Sequence, residues 1–411
     1  MLYNIRSFGQ LPGGTFTWGS AINNNGEVVG FSDLADGSNH ATFWTEAGGL
    51  LDLGTLGGTE SVGSALNDKS EVVGWSMDAQ GVYRAFVWSP GTGMTQLPAP
   101  GSSMDRAWDI NNAGQVVGSA GVGFLKHAAL WQPGANALDL GTLGGPHSEA
   151  TGINNTGGMT GWSQRTFSNP ELSNPFVCKV GQPPAPIGTL NNLPTEARAI
   201  SDDNHVVGIA YLPFTAATRA FIWHISTGIQ DVGTLGGTWC DLSSINNKGI
   251  AVGFSDTATG QTRACMYDGG IISDLNTMLE NHAGWSLHDA YDINDRGQIV
   301  GAGYYRGVST GFLLTPVPLS NGREIIASVR RILSGVVGDN SGYVWPFGSP
   351  FPVRDPSPNP WPELSLATKE LIALQAIKEM TANIQNESLR TELIRLTQQG
   401  IYEVLQQIKV E

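Results

Sequence analysis

Acid–base and aromatic side chains are densest in one segment near residue 290. His282, Trp285, His288, Asp289, Tyr291 and Asp292 fall within eleven residues, and Tyr304-Tyr305-Arg306 follows. His288 or Asp289 could move a proton there, with Tyr291 beside them and Arg306 clamping an anionic group. The plainer explanation is that this segment varies because it ends a repeat array. A second set lies four residues before a recurring Ile-Asn-Asn phrase: Trp18, Val62, Arg106, Glu149, Glu196, Asp241 and Asp289. Its four successive carboxylates, with Arg106 and the neighbouring Asp105, could bind a ligand or a divalent cation. They could also hold one carboxyl at a raised pKa as a general acid or base. Both uses require that the position face a shared channel; on an outer loop the acids would only be solvated. A third set is His40, Arg84, His127, Arg219 and Arg263. For these, pairing with a turn Asp or a carbonyl inside the same repeat is the simpler expectation.

Recognised cofactor motifs are absent. The Gly pairs do not form Gly-x-Gly-x-x-Gly ahead of a helix, and there is no His-Glu-x-x-His, Cys-x-x-Cys or EF-hand loop. No cofactor is expected, although the carboxylate sector could hold a divalent cation.

Bulk composition bears on fold and on partners rather than on a reaction. Charged residues are 14% of 411, 54 are Gly, and 40% are apolar, which suits short buried strands joined by tight turns. The net charge of −14 resides almost wholly in the first 315 residues, with 13 Lys/Arg against 26 Asp/Glu. Such an acidic body repels phosphate backbones and argues against nucleic-acid binding. No stretch reaches the roughly 20 apolar residues of a membrane span, and the first residues lack the basic and apolar regions of an export signal. Three Cys make no disulfide framework. Cys178 and Cys265 fall where other repeats carry large apolar residues and read as core, while Cys240 reads as a loop residue.

What must position these side chains is a repeat. The phrase Ile-Asn-Asn-x-Gly-x-Val-Val-Gly occurs seven times, and its closing glycines are 44, 44, 43, 47, 45 and 48 residues apart. Each unit reads as four strands: Leu-Asp-Leu-Gly-Thr-Leu-Gly-Gly first, then a short strand entering the Ile. After the Asn-Asn-x-Gly turn come Val-Val-Gly-x-Ser and Arg-Ala-Phe-Val-Trp. Four antiparallel strands per unit, seven times over, predict an all-β, seven-bladed propeller over 1–318. Trp44, Trp88, Trp131 and Trp223 are expected between blades. The seven units leave no obvious unpaired strand to close the ring.

The fourth-strand motif, His40-Ala41 with Phe43-Trp44 and Arg84-Ala85-Phe86, resembles the bacterial HAF (His-Ala-Phe) repeat. The Gly-Thr-Leu-Gly-Gly and Ile-Asn-Asn-x-Gly phrases agree with it over about residues 3–315. The resemblance implies a propeller-like fold and an extracellular location, although the chain shows no export signal. It implies no reaction and no catalytic residue.

Beyond Pro316 the repeat stops. Residues 319–362 read as a short helix followed by a linker with seven prolines between Pro346 and Pro362. Residues 363–411 read as a helical hairpin whose apolar stripes need a partner: the propeller, another copy or another protein. The expectation is therefore a non-catalytic interaction protein whose tail oligomerises or docks. Two alternatives stay open: an enzyme (lyase, hydrolase or transferase) at the channel mouth, and a carbohydrate-binding propeller.

Overall fold

The computed structural model describes residues 2–99, 105–166, 173–212, 217–280 and 284–317. The expected helical hairpin, the Pro-rich linker and His282 lie outside them.

Residues Tyr3–Pro316 form one compact unit of seven four-stranded antiparallel sheets. Blades one to six cover 17–52, 57–96, 106–141, 148–186, 195–231 and 236–274, each with its strands side by side in chain order. Blade seven takes three strands from 285–316 and its outermost strand, Tyr3–Ser7, from the start of the chain. Tyr3 pairs with Pro316 and Ser7 with Phe312, so the ring is closed by hydrogen bonds between the two ends of the propeller. Tyr3, 1% exposed, plugs into the core of blade seven. This short strand follows none of the repeat's phrases, which is why periodicity did not single it out.

The order of strands within a blade differs from the expectation by one. Leu-Asp-Leu is the outermost and last strand (Gly49–Asp52 in blade one), and Gly-Thr-Leu-Gly-Gly carries the chain to the next blade. The strand entering the Ile is innermost. It bulges at the second residue before the Ile, seen as a register shift between Ala107 and Asp109 and at the equivalent place in the other blades. The bulge drives a carbonyl toward the Gly that ends Val-Val-Gly. A Cβ on Gly118 would stand 1.9 Å from the Arg106 oxygen, and its equivalents Gly30 and Gly208 would meet one at 1.8 and 2.1 Å. Only Gly fits, so the phrase keeps it in every copy.

Ile-Asn-Asn has an equally physical basis. The Oδ1 of Asn23 accepts from the Asn25 and Glu27 N–H groups and shapes its own turn, while its Nδ2 donates to the Asn67 carbonyl of the next blade at 2.9 Å. Asn67, Asn111, Asn154, Asn246 and Asn294 make the same forward link. Ser201 is too short to do so and bonds Asp203 instead. Further out, Ser61 and Ser148 receive the N–H of Ala41 and Ala128 from the preceding blade, both at 2.8 Å. Those Ala residues are fully buried; they are the small residue of the HAF-like motif.

The core lies between blades. Trp88 of blade two meets Phe43 of blade one with ring centroids 5.4 Å apart, and Trp44, Trp131 and Trp223 are buried. Cys178 and Cys265 are core residues as expected. Cys240 is not in a loop: it is fully buried on the inner strand of blade six.

Candidate functional site: the two mouths of the channel

Each inner strand runs from one mouth of the channel to the other, so both ends can be built residue by residue. At the turn end the second Asn of Ile-Asn-Asn forms a closed belt. Each backbone N–H donates to the next side-chain Oδ1: Asn24 to Asp68, Asp68 to Asn112, Asn112 to Asn155, Asn155 to Asp202, Asp202 to Asn247, Asn247 to Asp295 and Asp295 to Asn24, at 2.7–3.0 Å. The three Asp are never adjacent, and each Oδ2 accepts from a flanking Asn amide. Repulsion between neighbouring carboxylates is thereby avoided.

Behind the belt lies a cavity of about 180 Å³. Besides the belt's Asp68, Asp202 and Asp295, two carboxylates line it, Asp109 and Asp292, at the position before the Ile where the other blades carry Ala21, Ala65, Gly152, Ala199 and Ser244. Asp109 accepts from the Ile110 and Ile153 N–H groups; Asp292 accepts from Ile22, Ile293 and the Ser244 hydroxyl. Burial pushes the Asp109 pKa up to about 7, helped by the charge of Asp292 and opposed by the two N–H donors. Burial also raises Asp292.

At the opposite mouth stand the residues four before the Ile. They do not point down a common channel. Trp18, Glu149 and Asp241 lean across the seam onto the preceding blade, where Trp18 and Asp241 meet the bulged residue two before the Ile, while Glu196 bonds within its own blade. Trp18 stacks on Tyr291, with centroids 6.2 Å apart and planes 29° from parallel. Asp241 Oδ2 faces Arg198 Nε at 3.7 Å. Glu149 turns to blade three, taking a 2.7 Å ion pair from Lys126 and a hydrogen bond from Ser119. Burial alone would raise the Glu149 pKa; Lys126 outweighs it and leaves it lowered. Arg106 lies over Trp75 and Trp108.

Blades five to seven and one therefore share an acidic, aromatic rim. The Tyr211 hydroxyl donates to Glu196 at 3.0 Å and receives Arg198 at 3.4 Å. Burial and the neighbouring Glu196 charge lift Tyr211 to about 12. Asp241 is only 8% exposed and its Oδ1 forms no hydrogen bond. Its pKa is raised by burial; Arg198 and the Leu242 N–H oppose the rise and the Glu196 and Asp289 charges add to it. Asp289 is raised too, by burial, with His288 opposing. The blade-six residue equivalent to Arg198 is Ser243, which carries no charge.

Of the residues singled out in the sequence, Glu196, Asp241, Asp289 and Tyr291 share this rim, with His288 packed on Tyr304 at 5.0 Å. Glu149 is taken up by Lys126. Asp105 is 1% exposed, with Gly121 N–H and the Arg84 guanidinium on it, a structural role. Trp285 packs on Tyr305, and Arg306 stacks over Tyr305 at the hairpin tip. Asp289 pairs with Ala302, four residues down that strand from Arg306, so the two stand roughly 13 Å apart along it. Ser309 falls in Gly307-Val308-Ser309-Thr310-Gly311, the spacing of a nucleophile elbow, but on a hairpin strand opposite Tyr304. The third set pairs within its blades: His40–Asp52 and His127–Asp139 at 2.9 and 3.0 Å, Arg219–Asp231 and Arg263–Asp274 at 3.8 and 3.9 Å. Arg84 turns to Asp78, since its outer strand ends in Gln96. Among the described residues no three His, Cys, Asp or Glu converge to hold a metal.

Arg198 and Asp109 were missed as functional candidates, and Asp292 was read only as part of the blade-seven segment, not as a partner of Asp109. Their signal lay in other columns of the same repeat: Arg198 is the one basic side chain two before the Ile, and the two Asp are the carboxylates in a column of small residues.

No known family profile matches the sequence, and no curated protein matches it. Among solved structures the chain is similar to the acylaminoacyl peptidase of Pyrococcus horikoshii, at 8% identity over 72% of this chain and 52% of the other, with a TM-score of 0.45. The chain thus spans about half that peptidase. It is also similar to a gluconolactonase from Xanthomonas campestris, at 10% identity over 77% and 90%, TM-score 0.39. A third likeness is the β-propeller domain of the Trilobed protease from Pyrococcus furiosus, at 12% identity over 63% and 98%, TM-score 0.36. Among the described residues no helix is long and apolar enough to cross a membrane.

Proposed function

We propose that this protein is a non-catalytic binding propeller whose recognition site is the rim on blades five, six, seven and one. The observation that carries this reading is Asp241: a carboxylate almost removed from water, with one oxygen lacking any hydrogen bond and a guanidinium only at 3.7 Å. A buried, under-satisfied acceptor is costly in a free protein, and a ligand that supplies the donor removes the cost. The rim sits on inner strands fixed by blade-to-blade bonds, which favours preorganised capture.

Catalysis is the second reading, supported by His288, Asp289 and Tyr291 within four residues of one strand. A panel of ester, phosphoester and glycoside substrates separates the two. Absence of turnover by the full chain is expected. Turnover that disappears in both His288→Ala and Asp289→Asn would replace binding with catalysis.

A further inference from the structure

We propose that the group captured at this rim is an organic cation, a primary ammonium or a guanidinium such as lysine and arginine carry. The inference rests on the reading of the rim as a binding site and adds the chemistry of its ligand.

Charge is the first argument. Glu196, Asp241 and Asp289 bring three carboxylates and Arg198 one guanidinium, within a propeller that is itself strongly acidic. Donor accounting is the second. Tyr211 satisfies Glu196 and receives Arg198, whereas Asp241 Oδ1 has no donor. Among the described residues none donates to Asp289, and the blade-six residue equivalent to Arg198 is the uncharged Ser243. Two adjacent blades thus present carboxylates with bonding capacity left over, Asp241 having only the Leu242 N–H and the distant Arg198 guanidinium beside it. The third argument is shape. A bare metal ion needs converging ligands, and these carboxylates do not converge. A guanidinium or ammonium carries several N–H donors on one centre and can bridge two separated carboxylates. Tyr291, stacked on Trp18, stands near Asp289, and aromatic faces attract such cations further.

Calorimetric titration of the full chain with N-acetyl-arginine amide, N-acetyl-lysine amide and N-acetyl-citrulline amide tests this, since citrulline keeps the arginine shape without its charge. One of the charged probes is expected to bind about tenfold more tightly than citrulline and to weaken as salt rises. Asp241→Asn and Asp289→Asn should each weaken it about tenfold, while Glu46→Gln, remote from the rim, leaves it unchanged. Asp289 is less buried than Asp241, so Asp289→Asn keeps the test decisive if Asp241→Asn fails to fold. Equal binding of charged and uncharged probes, lost in both variants, would overturn the cation assignment and leave the rim standing. Binding that both variants preserve would overturn the rim itself. Failure of the parent to bind either charged probe would overturn the inference.

Discussion

The side-chain amide of Asn294 donates to the carbonyl oxygen of Asn23, 271 residues earlier, at 2.9 Å. The bond repeats the forward link of the other blades and joins the last blade to the first. Asn294→Ala leaves that buried carbonyl unpaired and strips the Arg296 and Gln298 N–H groups of their shared acceptor. A loss of roughly 1–3 kcal/mol is expected in denaturant unfolding. Blade five offers the converse test: Ser201→Asn supplies the missing link to blade six and should add about 1 kcal/mol.

Gly118→Ala should be far more damaging than its size suggests. The new methyl would stand 1.9 Å from a main-chain oxygen that the bulge holds in place, so backbone must move. About 3 kcal/mol or more is expected, measurable as a lowered urea midpoint. Gly91→Ala, in a turn with open space around it, should be nearly neutral.

Asp109 makes stability depend on pH. Its folded pKa of about 7 lies above the ordinary value of 3.8. Below about pH 4 both folded and unfolded chains hold the proton, and the contribution to stability is complete. As pH rises from there through 7 the unfolded chain ionises first, and the contribution is lost. Asp109→Ala, the residue of blades one, two and five, gives up two hydrogen bonds at every pH but removes this slope. Relative to the parent it should gain on the order of 1–3 kcal/mol between pH 4.5 and pH 8. Parallel stability curves would contradict the account.

The fold was legible because each recurring residue meets one physical need at every blade: Gly118 at the bulge, Asn23 at the turn and seam, Ala41 against Ser61. Departures from the repeat carried less. Tyr3–Ser7 closes the ring without any phrase of its own, since a strand's pairing partner across more than 300 residues leaves no local trace. The column containing Asp241 was visible, yet its direction was not: the bulge after it rotates the side chain onto the preceding blade. Arg198 became meaningful only once Asp241 was seen to lie across the seam. Trp285, three residues before His288, and Arg306, grouped with them in the sequence, belong to a hairpin tip.

The central claim is that the rim around Asp241 binds a cation, and proton counting tests it most directly. Asp241 and Asp289 both have raised pKa values in the free protein, from burial, and an arriving cation favours their ionised forms. Titration of N-acetyl-arginine amide at steps from pH 4 to pH 7, in pairs of buffers of different ionisation enthalpy, should show net proton release within that range. The release should shrink in Asp289→Asn. Binding without proton release, or release unchanged in that variant, would contradict the account.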